Sequence, residues 1–363
     1  MEIDRRTLMA ALAGAAFAPL RATAATAEDG GPLYASACRL ADGRFAAVFA
    51  KADGGVVRTA VLPARGHCAA VDPSGRWSVT FARRPGTFAL AMDRTGAAAD
   101  VVFATPEGRH FEGHGAFAPQ GALLYAAENA YDDGVAVVGV YDATDGFRRI
   151  GELPGHGLGT HELILAPDGR HLVIANGGIL THPDYPRASL NLDAMEPSLV
   201  LVDRETGDLV ESLAPPENLR PLSFRHLAVD GEGRTWIGFQ WNGDDAAVVP
   251  LMAMRTRDGR LSFLDLPPET FRAFDHYVGS VAADREGRLL AFTSPPGGIA
   301  VIIDSQTGRP VGERRLPDGS GVAAAVPDGF VLTSGKGEVV ERHGDGEIVH
   351  ATDISWDNHL RRL

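Results

Sequence analysis

Short apolar runs alternate with polar, glycine-bearing turns along the chain, and one such unit is written twice in nearly the same residues. The first copy reads Gly113-His114-Gly115-Ala-Phe-Ala-Pro119-Gln-Gly121, then Ala-Leu-Leu-Tyr-Ala-Ala-Glu128-Asn129. The second reads Thr160-His161-Glu162-Leu-Ile-Leu-Ala-Pro167-Asp168-Gly169, then Arg-His-Leu-Val-Ile-Ala-Asn176. Each predicts a strand, a tight turn and a second strand, a β-hairpin that cannot bury both faces alone. It needs copies beside it.

Using the turn glycine as an anchor, the same hairpin recurs at Gly43, Gly75, Gly121, Gly169, Gly233, Gly287 and Gly329. A third apolar run follows and ends in Asp142, Asp203 or Asp304, where a turn capped by the aspartate side chain is expected, and a fourth run follows, as over Val311 to Leu316. Four antiparallel strands in each of seven units predict an all-β, seven-bladed β-propeller, because radial closure removes most of the exposed sheet edges. Pairing of the segment Ile354 to Leu360 with the N-terminal strands is expected to close the ring. One interval is long: Gly121 to Gly169 is about 48 residues, whereas Gly169 to Gly233 is about 64. The excess lies at about 177–197, is polar and turn-rich, and contains His182; such insertions tend to gather on a binding face.

Composition agrees with this reading, since 43 glycines and 23 prolines demand frequent turns. A formal charge of −13 argues against nucleic acid or an anionic membrane as the main partner. Residues 1–27 stand apart: Arg5-Arg6 precedes an Ala-rich, mildly hydrophobic run and small-residue pairs, the layout of a twin-arginine export signal. Residues 28–363 would then form the propeller, delivered folded to the periplasm, and no later run is long enough for a membrane span. Cys38 and Cys68 show no C-x-x-C-H pattern, so c-type haem is not expected; one disulfide and two buried free thiols both remain open.

Candidate chemistry follows from the topology. The first strand of a blade lines the central channel, and its start shares one end of the blade with the end of strand two. His67, His114, His161 and His226 occupy that place in four consecutive blades and should converge on one channel mouth. Blades one, six and seven offer Ala35, Gly279 and Gly321 there, which makes an arc, and His276 could extend it. The same mouth should carry Arg84, Glu128, Asn129, Asn176, Arg225, Gln240 and His182 as ligand-binding candidates. Converging imidazoles with a nearby carboxylate suit a transition metal, iron or copper first. The same residues can instead hydrogen-bond between blades and only hold the ring together. Glu162 follows His161 directly, so strand alternation should turn it away, which leaves Glu128 as the better carboxylate.

The succession Arg83-Arg-Pro-Gly-Thr-Phe, Gly113-His-Gly, Glu128-Asn, His161-Glu, Ala175-Asn-Gly-Gly-Ile, Thr181-His-Pro, Arg225-His-Leu, Tyr277-Val-Gly-Ser-Val-Ala and the closing Trp356-Asp-Asn-His resembles the exported bacterial propellers of domain of unknown function 1513. The resemblance covers nearly the whole mature chain and implies a fold of the YVTN and quinoprotein amine dehydrogenase-like superfamily. It implies no reaction, and it implies as neighbours imelysin-like and cytochrome peroxidase-like periplasmic proteins of iron acquisition. The function expected from these readings is a non-enzymatic binding protein that holds a metal for uptake or delivery. A propeller enzyme, lactonase-like or oxidoreductase, and a protein-docking scaffold are the alternatives.

Overall fold

A computed structural model describes residues 31–185 and 188–363. The export signal expected over residues 1–27 lies outside the described residues. Seven antiparallel sheets are arranged as blades. Blade four is representative, with strands Thr160–Leu165, His171–Asn176, Ser198–Asp203 and Leu209–Leu213 running outward in chain order. The outward order is also an order of burial. The innermost strand of blade two, Gly66–Val71, is buried along almost its whole length, while the outermost strand of blade three, Arg148–Pro154, alternates exposed and half-buried residues. An inner strand has sheet on both sides and solvent on neither; an outer strand keeps one wet face.

Neighbouring blades are joined by side chains from facing sheets. Between blades two and three, Phe81, Phe111, Tyr141 and Phe147 are fully buried, and Phe103 stacks on Phe147 with ring centroids 5.3 Å apart. Each such ring contributes about 1.5–3 kcal/mol through the apolar area it removes from water. In blade five the indole of Trp236 is buried and donates to Asp230 Oδ2 at 2.8 Å, so its polar atom is satisfied within the core. The hairpin turns need their glycines: Gly121 and Gly169 sit at φ 75° and 68°, in the left-handed region. Asp142, Asp203 and Asp304 cap their turns as expected, accepting from the backbone N–H of Thr144, Glu205 and Thr307 at 2.8–2.9 Å.

Blade one departs from the sequence reading in its register. Strands Ser355–Trp356 and Arg361–Arg362 both pair with Leu33–Arg39, Cys38 facing Trp356 and Ala35 facing Arg361. The C-terminal segment is therefore the innermost strand of blade one, and the hairpin around Gly43 joins strands two and three, not one and two. Residues 357–360 leave the ladder between the two pairings and enter the channel. The insertion is tied back on itself through Asn191, which accepts from Leu180 N at 2.7 Å and donates to Gly178 O at 3.0 Å. Cys38 and Cys68 are both buried and unpaired by any disulfide.

Candidate metal centre

A regular strand alternates its side chains, so a histidine and its neighbour should face opposite sides. The innermost strands break that rule where the chemistry lies. Register shifts fall between Gly66 and Ala69, Phe111 and Gly115, Thr160 and Glu162, and Phe224 and His226. These bulges leave His67, His114, His161 and Arg225 without a cross-strand partner and free to turn into the channel. Gly113 completes the arrangement: at φ 101° its backbone passes so close to His67 that a Cβ would lie 2.6 Å from the ring carbon Cδ2.

Five buried imidazoles meet as a result. Ring centroids are 5.0 Å apart for His67 and His114, 5.0 Å for His114 and His161, and 4.8 Å for His161 and His226. The fifth, His359, sits 4.7 Å from each of His67, His114 and His226. Two sets of three bring their ligand nitrogens within 4.8 Å of one another: His67, His114 and His161, and His114, His226 and His359. An ion with bonds of about 2 Å would draw either set inward by on the order of an ångström.

The groups behind the rings decide which nitrogens are free. Glu162 Oε2 lies 3.1 Å from His226 Nδ1, and Oε1 lies 3.7 Å from His114 Nδ1 and against Arg361. Asp357 Oδ1 lies 3.3 Å from His67 Nδ1. A carboxylate at Nδ1 fixes the proton there and leaves Nε2 as the lone-pair donor, the arrangement that orients imidazole ligands toward a metal. His161 differs. Its Nδ1 accepts from Arg225 Nη1 at 3.3 Å, which puts the proton of the neutral ring on Nε2. In the set His114, His226 and His359, Nε2 of His114 and of His359 is buried and without a hydrogen-bond partner among the described residues, His359 Nδ1 lies 3.4 Å from Ser280 Oγ, and His226 Nε2 lies 3.4 Å from Tyr277 Oη.

Charge follows the same geometry. Burial pushes His67 down to about 3 and His226 down to about 4, against the pull of Asp357 and Glu162 respectively. Burial and neighbouring cations hold His161 and His359 well below the ordinary value. Burial alone would also lower His114, but Glu162 and Cys68 beside it prevail and push it up to about 9, so near neutral pH an ion taking its Nε2 must displace a proton. Glu162 itself stays well below the usual carboxylate range, since His114 and Arg361 outweigh the burial that would raise it.

Above the cluster opens a cavity of about 220 Å³ lined by His67, Arg83, Arg84, Glu112, His161, Arg225, Gln240 and Tyr277. The expected mouth thus brings Arg84, Arg225 and Gln240 together with two of the histidines. Four other candidates lie elsewhere. Glu128 points along the sheet of blade three, accepting from Tyr141 Oη at 2.5 Å and pairing with Arg149 at 2.9 Å. Asn129 reaches His110 and Thr181; Asn176 accepts from Thr160 and donates to Gly155 O. His182 stays in the insertion beside Asp132 and Asp184, each 3.6 Å away. His276 does not extend the arc, its Nε2 being 3.0 Å from Ala247 O.

The preference for Glu128 over Glu162 is therefore reversed, because the bulge at His161 cancels the alternation on which it rested. His359 escaped the sequence reading because blade one was threaded one strand out. Had the C-terminal segment been placed innermost, the motif Trp356-Asp-Asn-His would have pointed to it. Glu112 sits beside Gly113 and enters the cavity through the bulge between Phe111 and Gly115, while Arg83 adjoins Arg84 in the turn after strand Trp77–Ala82, where no strand alternation separates them, and both line the cavity.

Fold and site together define a β-propeller whose channel holds a buried imidazole cluster beneath a cationic cavity. The chain belongs to the family described as Protein of unknown function (DUF1513), whose model matches residues 60–363. Among solved structures it is similar to hydrazine synthase of Kuenenia stuttgartiensis, at 14% identity and a TM-score of 0.58, over 86% of this chain and 94% of that one. At that identity the likeness is one of fold alone. No curated protein matches the chain. No helix among the described residues is long and apolar enough to cross a membrane.

Proposed function

We propose that this protein is a periplasmic, non-enzymatic metal-binding propeller, exported by the twin-arginine route, that holds a transition ion in uptake or delivery. Iron or copper is the expected metal, held by His114, His226 and His359, with His67 and His161 adjoining. One observation carries the reading: buried imidazoles converge until two sets of three bring ligand nitrogens within 4.8 Å of one another, and His67, His114 and His226 turn Nδ1 toward a carboxylate. Histidines that merely tied blades together would spend both nitrogens on neighbours, whereas His114, His161 and His359 each keep a buried Nε2 without a partner among the described residues, and only His226 turns its Nε2 to a neighbour, Tyr277 Oη at 3.4 Å. Imelysin-like and cytochrome peroxidase-like proteins are the partners to examine, on the strength of the family resemblance.

Elemental analysis of the chain purified from the periplasm is the test. About one transition ion per chain is expected, and almost none after His114→Ala and His226→Ala together. A wild-type chain that stays metal-free after incubation with ferrous and cupric ions would end the proposal. The cavity beside the cluster favours a second reading, an enzyme whose substrate lies next to the metal. Turnover of a lactone panel by the metal-loaded chain, lost with the metal, would favour that reading.

A further inference from the structure

We propose that the cavity over the histidine cluster is a binding site for a small hydroxylated dicarboxylate, clamped by Arg83, Arg84 and Arg225, with Glu112 accepting its hydroxyl hydrogen. The proposal stands on the cavity and does not require the metal.

Charge comes first. Three guanidiniums line the space against one carboxylate, since Asp357 close by is already engaged by Arg65 and His67. Arg225 is buried, its Nε has no hydrogen-bond partner, and among the described residues neither it nor Arg83 has a carboxylate partner. Arg225 is buried, Arg84 half-buried and Arg83 exposed at the rim, so the floor of the cavity calls for an anion and the three cations against Glu112 together match a dianion. Arginine forks also match carboxylate geometry in a way that a point charge does not.

Glu112 supplies the second half of the argument. Its carboxylate is fully buried, borders the cavity, and has neither oxygen in a hydrogen bond among the described residues; Arg84 and His110 approach only to 3.7 Å. A buried acceptor left without a donor is costly, so the occupant that completes this site must carry a donor as well as its negative charge. A zwitterion such as an amino acid offers the donor but leaves both surplus charges in place. A plain dicarboxylate offers the charge but no donor. A hydroxydicarboxylate offers both. The space, about 220 Å³, is below the range of roughly 300–1,000 Å³ that takes drug-sized ligands, and so suits a short one.

Calorimetric titration of the mature chain with L-malate, succinate, glycine and inorganic phosphate, in metal-stripped and metal-loaded forms, tests this. Malate is expected to bind at least tenfold tighter than the other three in both forms. Arg84→Gln, a half-buried position that should not endanger folding, should weaken malate tenfold or more, and Glu112→Gln should erase the margin of malate over succinate. Absence of malate binding in both forms, tighter binding of phosphate, or an Arg84→Gln chain that binds malate as the wild type does would each overturn the assignment. A chain that holds metal but no malate overturns only the cavity assignment, whereas one that binds malate but never metal overturns only the metal reading.

Discussion

Glu128 and Glu162 are both buried, both paired with an arginine, and both lie in the pair of repeats that announces the fold. Around Glu128 every strong polar atom is spent: Tyr141 donates to one oxygen, Arg149 to the other, and Arg149 turns its remaining reach to Glu152 at 2.6 Å. Around Glu162 the network has loose ends. His114 and His226 face it with Nδ1, and the unpartnered Nε2 of His114 looks inward to other imidazoles. A saturated network fixes a blade, whereas an open one made of ligating atoms waits for an occupant.

The two regions should part most widely in acid. His67 and His226 take up a proton near 6.5 in the unfolded chain but only near 3 and 4 in the folded one, so between those values the unfolded state binds more protons. Stability must then fall as pH drops below about 6.5, by about 1.4 kcal/mol per pH unit for each of the two rings. His161 and His359, also lowered, steepen the loss. His114 acts in the other direction: raised to about 9, its contribution is full below 6.5 and is lost as pH climbs through 9. Denaturant midpoints of the metal-free chain from pH 7 to 4.5 measure the slope. His226→Gln should flatten it by about one proton, whereas Glu128→Gln should not flatten it, because burial raises the Glu128 carboxyl and its removal can only steepen the loss toward the acid end. A midpoint that does not move over that range would remove the distinction between the two regions.

Next in size are the carboxylates themselves. Glu162→Gln removes the charge opposite Arg361 and the orienting acceptor behind two rings. It should cost about 3–5 kcal/mol of stability and lower metal affinity about 10–100-fold. Glu128→Gln should cost less, about 1–3 kcal/mol, because Arg149 is partly solvated and keeps Glu152. Its metal content should match the wild type. Equal metal loss in both variants would mean that the pore carboxylate has no special role.

The repeat made most of this legible in advance. A period-two apolar pattern with a glycine turn fixes where each hairpin lies, and hairpin topology alone brings His67, His114, His161 and His226 to one end of the channel. What the pattern cannot carry is a local exception to its own period. Bulges at Thr160/Glu162 and Phe111/Gly115 insert residues that no alternation rule anticipates, and Glu162 and Glu112 enter the site through them. Ring closure posed a different problem: Leu33–Arg39 looks like any other first strand until the chain's far end is laid inside it. His359 and Asp357 were hidden for that topological reason, and Asn129 and Asn176 were overvalued because the end of a strand is also where a blade secures its own backbone.

The smallest effect belongs to His182, whose residue type and place in the insertion made it a candidate. Its ring is about a quarter exposed, with Asp132 and Asp184 at 3.6 Å and Tyr131 edge-on at 5.2 Å, and no imidazole of the channel is among its ring contacts. These are solvated pairings, worth little because water and salt compete for both charges. His182→Ala should therefore change stability by no more than about 0.5 kcal/mol and leave metal content as in the wild type. Side-by-side elemental analysis and thermal unfolding of this variant and His359→Ala weigh the two histidines left outside the four-membered arc. If His182→Ala loses metal and His359→Ala keeps it, the ion sits under the insertion and the channel cluster is structural.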